Sequence, residues 1–107
     1  MIEIKYNTTE KGSLRLTVTG HARSAPKGED LVCAGASILA MTLAQCVSSA
    51  DDDKKLKCKP TLQLKDGDCV IWCLPKDKHY EEIRTQFETI VKGYNFLSFN
   101  YPEYVKA

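Results

Sequence analysis

The chain has 107 residues, the size of one folding unit rather than of a multidomain assembly. Hydrophobic residues at 43% and charged residues at 27%, with 6 glycines and 4 prolines, make the balance of a core-forming globular chain and exclude disordered and collagen-like classes. The net charge of +1 lacks the basic field on which sequence-independent nucleic-acid binding rests, so direct nucleic-acid contact is not expected.

Met1-Ile2-Glu3-Ile4-Lys5 alternates apolar and polar residues, unlike the basic start and continuous apolar run of a secretion signal. The expected location is therefore cytoplasmic. Ile2, Ile4 and Tyr6 continue the alternation, Asn7 to Gly12 is rich in turn formers, and Leu14, Leu16 and Val18 alternate with Arg15, Thr17 and Thr19. This predicts a β-hairpin with one buried face. Gly20 ends the second strand and His21 follows at once. Ala22-Arg23-Ser24-Ala25-Pro26-Lys27-Gly28-Glu29 has no periodicity and carries Pro and Gly breakers, which predicts a loop.

Asp30 suits an N-cap, with Cys33 in the first turn of a helix that runs to about Ser48 or Ser49. Within it, Leu31 to Ala50 is a stretch of twenty residues without a formal charge, long enough to span a bilayer. Its small and hydroxylated residues, Ser37, Thr42, Ser48 and Ser49 among them, favour a buried core helix, and no membrane contact is expected. Asp51-Asp52-Asp53-Lys54-Lys55 reads as a solvated connection. Thr61 to Lys65, the turn Asp66-Gly67 and Asp68 to Leu74 predict a second hairpin that Pro75 stops. From His79 onward, Ile83, Phe87, Ile90, Val91 and Tyr94 recur at helical spacing opposite Glu81, Glu82, Arg84, Glu88 and Lys92. The order ββαββα implies a single α+β domain over residues 1–107: two hairpins in a largely antiparallel sheet packed by two helices.

The five cysteines, Cys33, Cys46, Cys58, Cys69 and Cys73, are an odd number in a chain without an export signal, which suits reduced thiols. None forms a Cys-x-x-Cys pair, and the spacing of Cys69, Cys73 and His79 matches no usual zinc site, so no metal is expected.

Gly20-His21-Ala22 and Gly28-Glu29-Asp30-Leu31-Val32-Cys33-Ala34-Gly35-Ala36-Ser37 set a histidine at a strand end and a cysteine at a helix start. A cysteine protease needs a thiolate, a base within hydrogen-bond reach and donors for an oxyanion. A helix N-terminus gathers free amides and partial positive charge that favour both thiolate and oxyanion. Asp30, a carboxylate near the thiol, by itself favours the neutral S–H form, so its role is indirect: capping the helix, orienting His21 or fixing the loop. Ser37 stands one turn beyond Cys33 on the same face, either bonding within the site or back to a helical carbonyl. By residue type alone the same segment also suits a small core cysteine and a surface histidine.

The run Gly20-His21-Ala22, a short loop, then Gly28-x-Asp30-x-Val32-Cys33-Ala34-Gly35-Ala36-Ser37 closely resembles the ribosomal-processing cysteine protease family, Prp, of Firmicutes and related bacteria. The likeness extends to the length, the order of elements and the ending Tyr101-Pro102-Glu103-Tyr104-Val105. It implies an endopeptidase that removes the N-terminal extension of a large-subunit ribosomal protein during ribosome assembly, cutting after a short apolar, aromatic-containing sequence. It further implies Cys33 as nucleophile, His21 as base, Asp30 and Ser37 in support, a homodimer, and a loop, here Ala22 to Glu29, that orders over the substrate. Backbone amides at Cys33 and Ala34 are the expected oxyanion donors, and no cofactor is required. The alternative from another class is a non-catalytic ribosome-associated binding module in which Cys33 is a buried helix residue.

Overall fold

The computed structural model describes residues 1–22 and 26–107, and the side chains of residues 26–30 fall outside that description. Strands β1 (Ile2–Thr8) and β2 (Leu14–Gly20) form the first hairpin, with Ile4 opposite Val18 and Tyr6 opposite Leu16. Because side chains alternate across a strand, Ile2, Ile4, Leu14, Leu16 and Val18 share the buried face, while Glu3, Lys5 and Arg15 stay exposed. The second hairpin, β3 (Thr61–Lys65) and β4 (Asp68–Cys73), is joined through a central pairing of β4 with β2. That pairing sets Leu16 opposite Ile71 and Val18 opposite Cys69, which continues the buried face across the sheet.

A two-residue strand, β5 (Val105–Lys106), runs parallel to β1 and gives an open five-stranded sheet in the order β3-β4-β2-β1-β5. The expected α+β architecture and its ββαββα order hold, and β5 adds a strand that the Tyr101–Val105 ending did not announce. Ser98 Oγ fastens it by donating to the Val105 carbonyl at 3.0 Å.

Helix α1 (Pro26–Asp52) is longer at both ends than the sequence predicts. Proline suits its first position, where a missing N–H costs nothing, so Asp30 is a residue within the helix and not its cap. At the far end Lys54 takes a left-handed φ of 59°, its N–H bonding to Asp51 O at 3.0 Å and that of Lys55 to Ala50 O at 2.9 Å. These two bonds make a Schellman stop, with a lysine where glycine is usual, so the charge run terminates the helix.

Helix α2 (Tyr80–Asn100), entered through a 3-10 turn at Asp77–His79, lies against α1 and buries Ile83, Phe87, Ile90 and Tyr94. The helices approach closely at glycines. A Cβ on Gly93 would stand 2.6 Å from Leu39 Cδ2, and one on Gly35 would stand 3.3 Å from Leu97 Cδ1. Across this crossing the Tyr94 hydroxyl donates to the Ala36 carbonyl at 2.7 Å.

Among the described side chains of α1 the buried ones form one stripe, Val32, Ala36, Ala40, Leu43, Ala44, Val47 and Ala50, each three or four positions from another. Leu31, Ile38 and Met41 are exposed on its other side. Leu31–Asp52 is long and apolar enough to cross a membrane by length and composition, yet it is a one-sided core helix rather than one enclosed all round.

Candidate active site

Two local features bring His21 and Cys33 to one place. Gly20 ends β2 at φ +94°, a backbone that side-chain-bearing residues rarely adopt, and a Cβ there would overlap the Met1 carbonyl oxygen. His21 therefore leaves the strand end half-buried, followed by the fully buried Ala22. Cys33, also half-buried, sits on α1 next to the buried Val32. His21, Cys33 and the exposed Ser37 line one cavity of about 80 Å³, with Ile2, Val18, Ala36 and Ala40 as its apolar floor. That volume holds a few water molecules.

Helix α1 starts four residues before the expected cap at Asp30. Cys33 lies well inside the helix, because α1 begins at Pro26. The amides of Cys33 and Ala34 consequently fall within the helical ladder, facing the carbonyls of residues 29 and 30, instead of being free at an N-terminus. The expected loop Ala22–Glu29 is likewise shorter, since Pro26, Lys27, Gly28 and Glu29 belong to the helix. Arg23, Ser24 and Ala25 lie outside the described residues, as does the Asp30 side chain.

A third wall of the cavity was not foreseen. It is the β3–β4 turn, with Lys65, Asp66 and Gly67, together with Cys69 on β4. The Asp-Gly pair announces a tight turn in the sequence, and Gly67 has the positive φ of 74° that such a turn requires. What the turn touches depends on the pairing of β4 with β2, which no local signal specifies. Asp66 Oδ1 stands 3.9 Å from His21 Nδ1, and its side chain is 98% exposed.

The thiols differ sharply in environment. All five cysteines are free, and Cys73 is buried, its thiol pushed up to about 12 by that burial. Burial also raises the Cys69 thiol, with the carboxylates of Asp68 and Asp66 adding to the effect, while Cys69 Sγ donates to the Lys65 carbonyl at 3.5 Å. Neither is poised as a thiolate at neutral pH. Among the described residues no three His, Cys, Asp or Glu side chains are grouped to hold a metal ion.

The cysteine protease Prp family model matches residues 1–106. No curated protein matches the chain. Solved structures that share its fold include the following. The ribosomal processing protease Prp from S. aureus with a covalently linked product peptide has a TM-score of 0.74 and 21% identity, over 99% of this chain and 96% of that one. The same protease with a substrate peptide has a TM-score of 0.70 and 19% identity, over 99% and 96%. SMU.848 from Streptococcus mutans has a TM-score of 0.72 and 29% identity, over 100% and 91%. With its family model matched along nearly the whole length and a cysteine and a histidine lining one cavity, the chain belongs to the cysteine protease Prp family.

Proposed function

We propose that the protein is a cytoplasmic endopeptidase that removes the N-terminal extension of a large-subunit ribosomal protein during ribosome assembly, with Cys33 as nucleophile and His21 as general acid and base. The observation that carries this reading is the single cavity lined by both side chains in a chain of a cysteine protease family. The S. aureus structures, which hold a product peptide linked covalently and a substrate peptide, support a covalent route on peptides.

In this mechanism His21 takes the thiol proton, and the Cys33 thiolate attacks the scissile carbonyl carbon, forming a C–S bond and a tetrahedral oxyanion. Collapse breaks the C–N bond while the His21 imidazolium delivers its proton to the leaving amine, which leaves a thioester. Water, deprotonated by His21, then attacks the thioester and releases the acid product and the thiol. No step requires a cofactor. For the Cys33 and Ala34 amides to reach the oxyanion, the turns of α1 between Pro26 and Asp30 have to leave the helix, because the helical ladder otherwise occupies those donors. Ser37, one turn from Cys33, lines the same cavity and is offered as a hydrogen-bonding group for the peptide. The exposed apolar side of α1 at Leu31, Ile38 and Met41 suits a homodimer, which analytical ultracentrifugation tests.

The deciding experiment incubates the protein with a synthetic peptide spanning the N-terminal extension of the same organism's ribosomal protein, followed by mass spectrometry. One cut is expected, absent with Cys33→Ser and Cys33→Ala, both of which should keep the wild-type melting temperature. Near-normal cleavage by either variant removes Cys33 from the mechanism. An intact peptide together with a Cys33 inert to alkylation rejects the protease reading for this site.

A further inference from the structure

The turn Lys65-Asp66-Gly67 walls the cavity but has no part in the mechanism above. Its position follows from strand register. In the β2–β4 pairing Val18 faces Cys69 and Thr19 faces Asp68. The Gly20 N–H donates to the Gly67 carbonyl at 2.9 Å, which carries the antiparallel ladder one pair further. The next residues along, His21 and Asp66, therefore stand across from one another, and their side chains converge, with Nδ1 at 3.9 Å from Oδ1. Beneath the ring is Gly67, where a Cβ would collide with Nε2 and stand 2.7 Å from Cε1. The imidazole is thus flanked by a carboxylate on its Nδ1 side and seated on a glycine at its Nε2 side.

We propose that Asp66 is a positioning residue for His21, an inference that rests on the reading of His21 as the base. Its carboxylate accepts the Nδ1–H, directly after a small side-chain swing or through one water, and leaves Nε2 as the atom that exchanges a proton with Cys33. The carboxylate also attracts the imidazolium that forms whenever Cys33 is a thiolate. At 3.9 Å the pair is beyond direct hydrogen-bond range and largely in solvent, so it adds little to fold stability. This separates the catalytic effect cleanly from a structural one.

The test measures kcat and KM of the full chain on a peptide it cleaves, together with the rate of Cys33 alkylation by iodoacetamide and the melting temperature. Asp66→Asn, which keeps the shape and removes the charge, should lower kcat about three- to tenfold with KM and melting temperature unchanged. Asp66→Glu should restore most of the loss, because it restores a carboxylate within reach. In the His21→Ala background Asp66→Asn should leave the alkylation rate where His21→Ala alone sets it. A kcat for Asp66→Asn equal to wild type would overturn the proposal, as would an alkylation effect that persists without His21. Cleavage that survives His21→Ala overturns the catalytic pair itself, an outcome distinct from failure of the Asp66 arm.

Discussion

Gly67→Ala tests whether the seat beneath His21 matters, and Gly12→Ala supplies its internal control. Both glycines have positive φ, +74° and +91°, so an alanine at either meets the left-handed penalty of roughly 1–2 kcal/mol. Each variant should melt about 4–8 °C lower per kcal/mol lost. The surroundings differ. At Gly12 the nearest atom to the new Cβ is Tyr80 Cδ1 at 3.7 Å, an ordinary contact. At Gly67 the Cβ would overlap the His21 ring, whose Cε1 must retreat by at least roughly 0.7 Å to reach ordinary contact. A misplacement near 1 Å in a catalytic group costs on the order of a hundredfold, so kcat/KM of Gly67→Ala should fall about ten- to a hundredfold, while Gly12→Ala stays near wild type. Peptide cleavage assayed well below both melting points, beside thermal denaturation, reads the two effects separately. If both variants lose stability equally and retain equal activity, His21 does not act from the position described.

Tyr94→Phe should lower stability by about 1 kcal/mol in urea denaturation, because it removes the buried hydroxyl that donates to Ala36 while the carbonyl keeps its helical partner; an unchanged midpoint would mean the bond adds nothing. The buried Cys73 thiol predicts an alkaline limit. Its pKa is raised in the fold from 9.0 to about 12, so the folded state binds more protons than the unfolded state in that window. Its contribution is fully present below about pH 9 and is lost as pH rises toward 12. Urea midpoints should therefore fall between pH 8.5 and pH 10.5, and Cys73→Ala should flatten that fall. A slope that is the same in both proteins would show that other groups set the alkaline limit.

Local pattern carried much of this fold. Ile2, Ile4, Leu14, Leu16 and Val18 alternate, and Ile83, Phe87, Ile90 and Tyr94 recur at helical spacing, so β1, β2 and α2 are legible from periodicity alone. The start of α1 is not legible, because Asp30 has the chemistry of a cap whereas the helix opens upstream at Pro26. Strand β5 leaves no signal because two residues are too few for any periodicity, and it is a strand only through its pairing with β1. Of the candidate site, His21, Cys33 and Ser37 were marked by their strand-end and helix positions, and the structure brings all three to one cavity. Asp66 and Gly67 carry in sequence only the signal of a hairpin turn.

The sequence by itself determined β1 to β4, the body of α1 and α2, and which residues of β1, β2 and α2 turn inward, because those properties depend on neighbours one to four positions away in the chain. It also carried the Gly20-His21 and Cys33–Ser37 run on which the resemblance to the Prp family rests, and the family model matches residues 1–106. Only the tertiary structure decided what stands beside His21. The β2–β4 register sets Gly20 against Gly67 and therefore His21 against Asp66, residues far apart in the chain. That register is chosen by burying Leu16 with Ile71 and Val18 with Cys69 on one face beneath the helices, and a slip of one residue would turn those side chains to water.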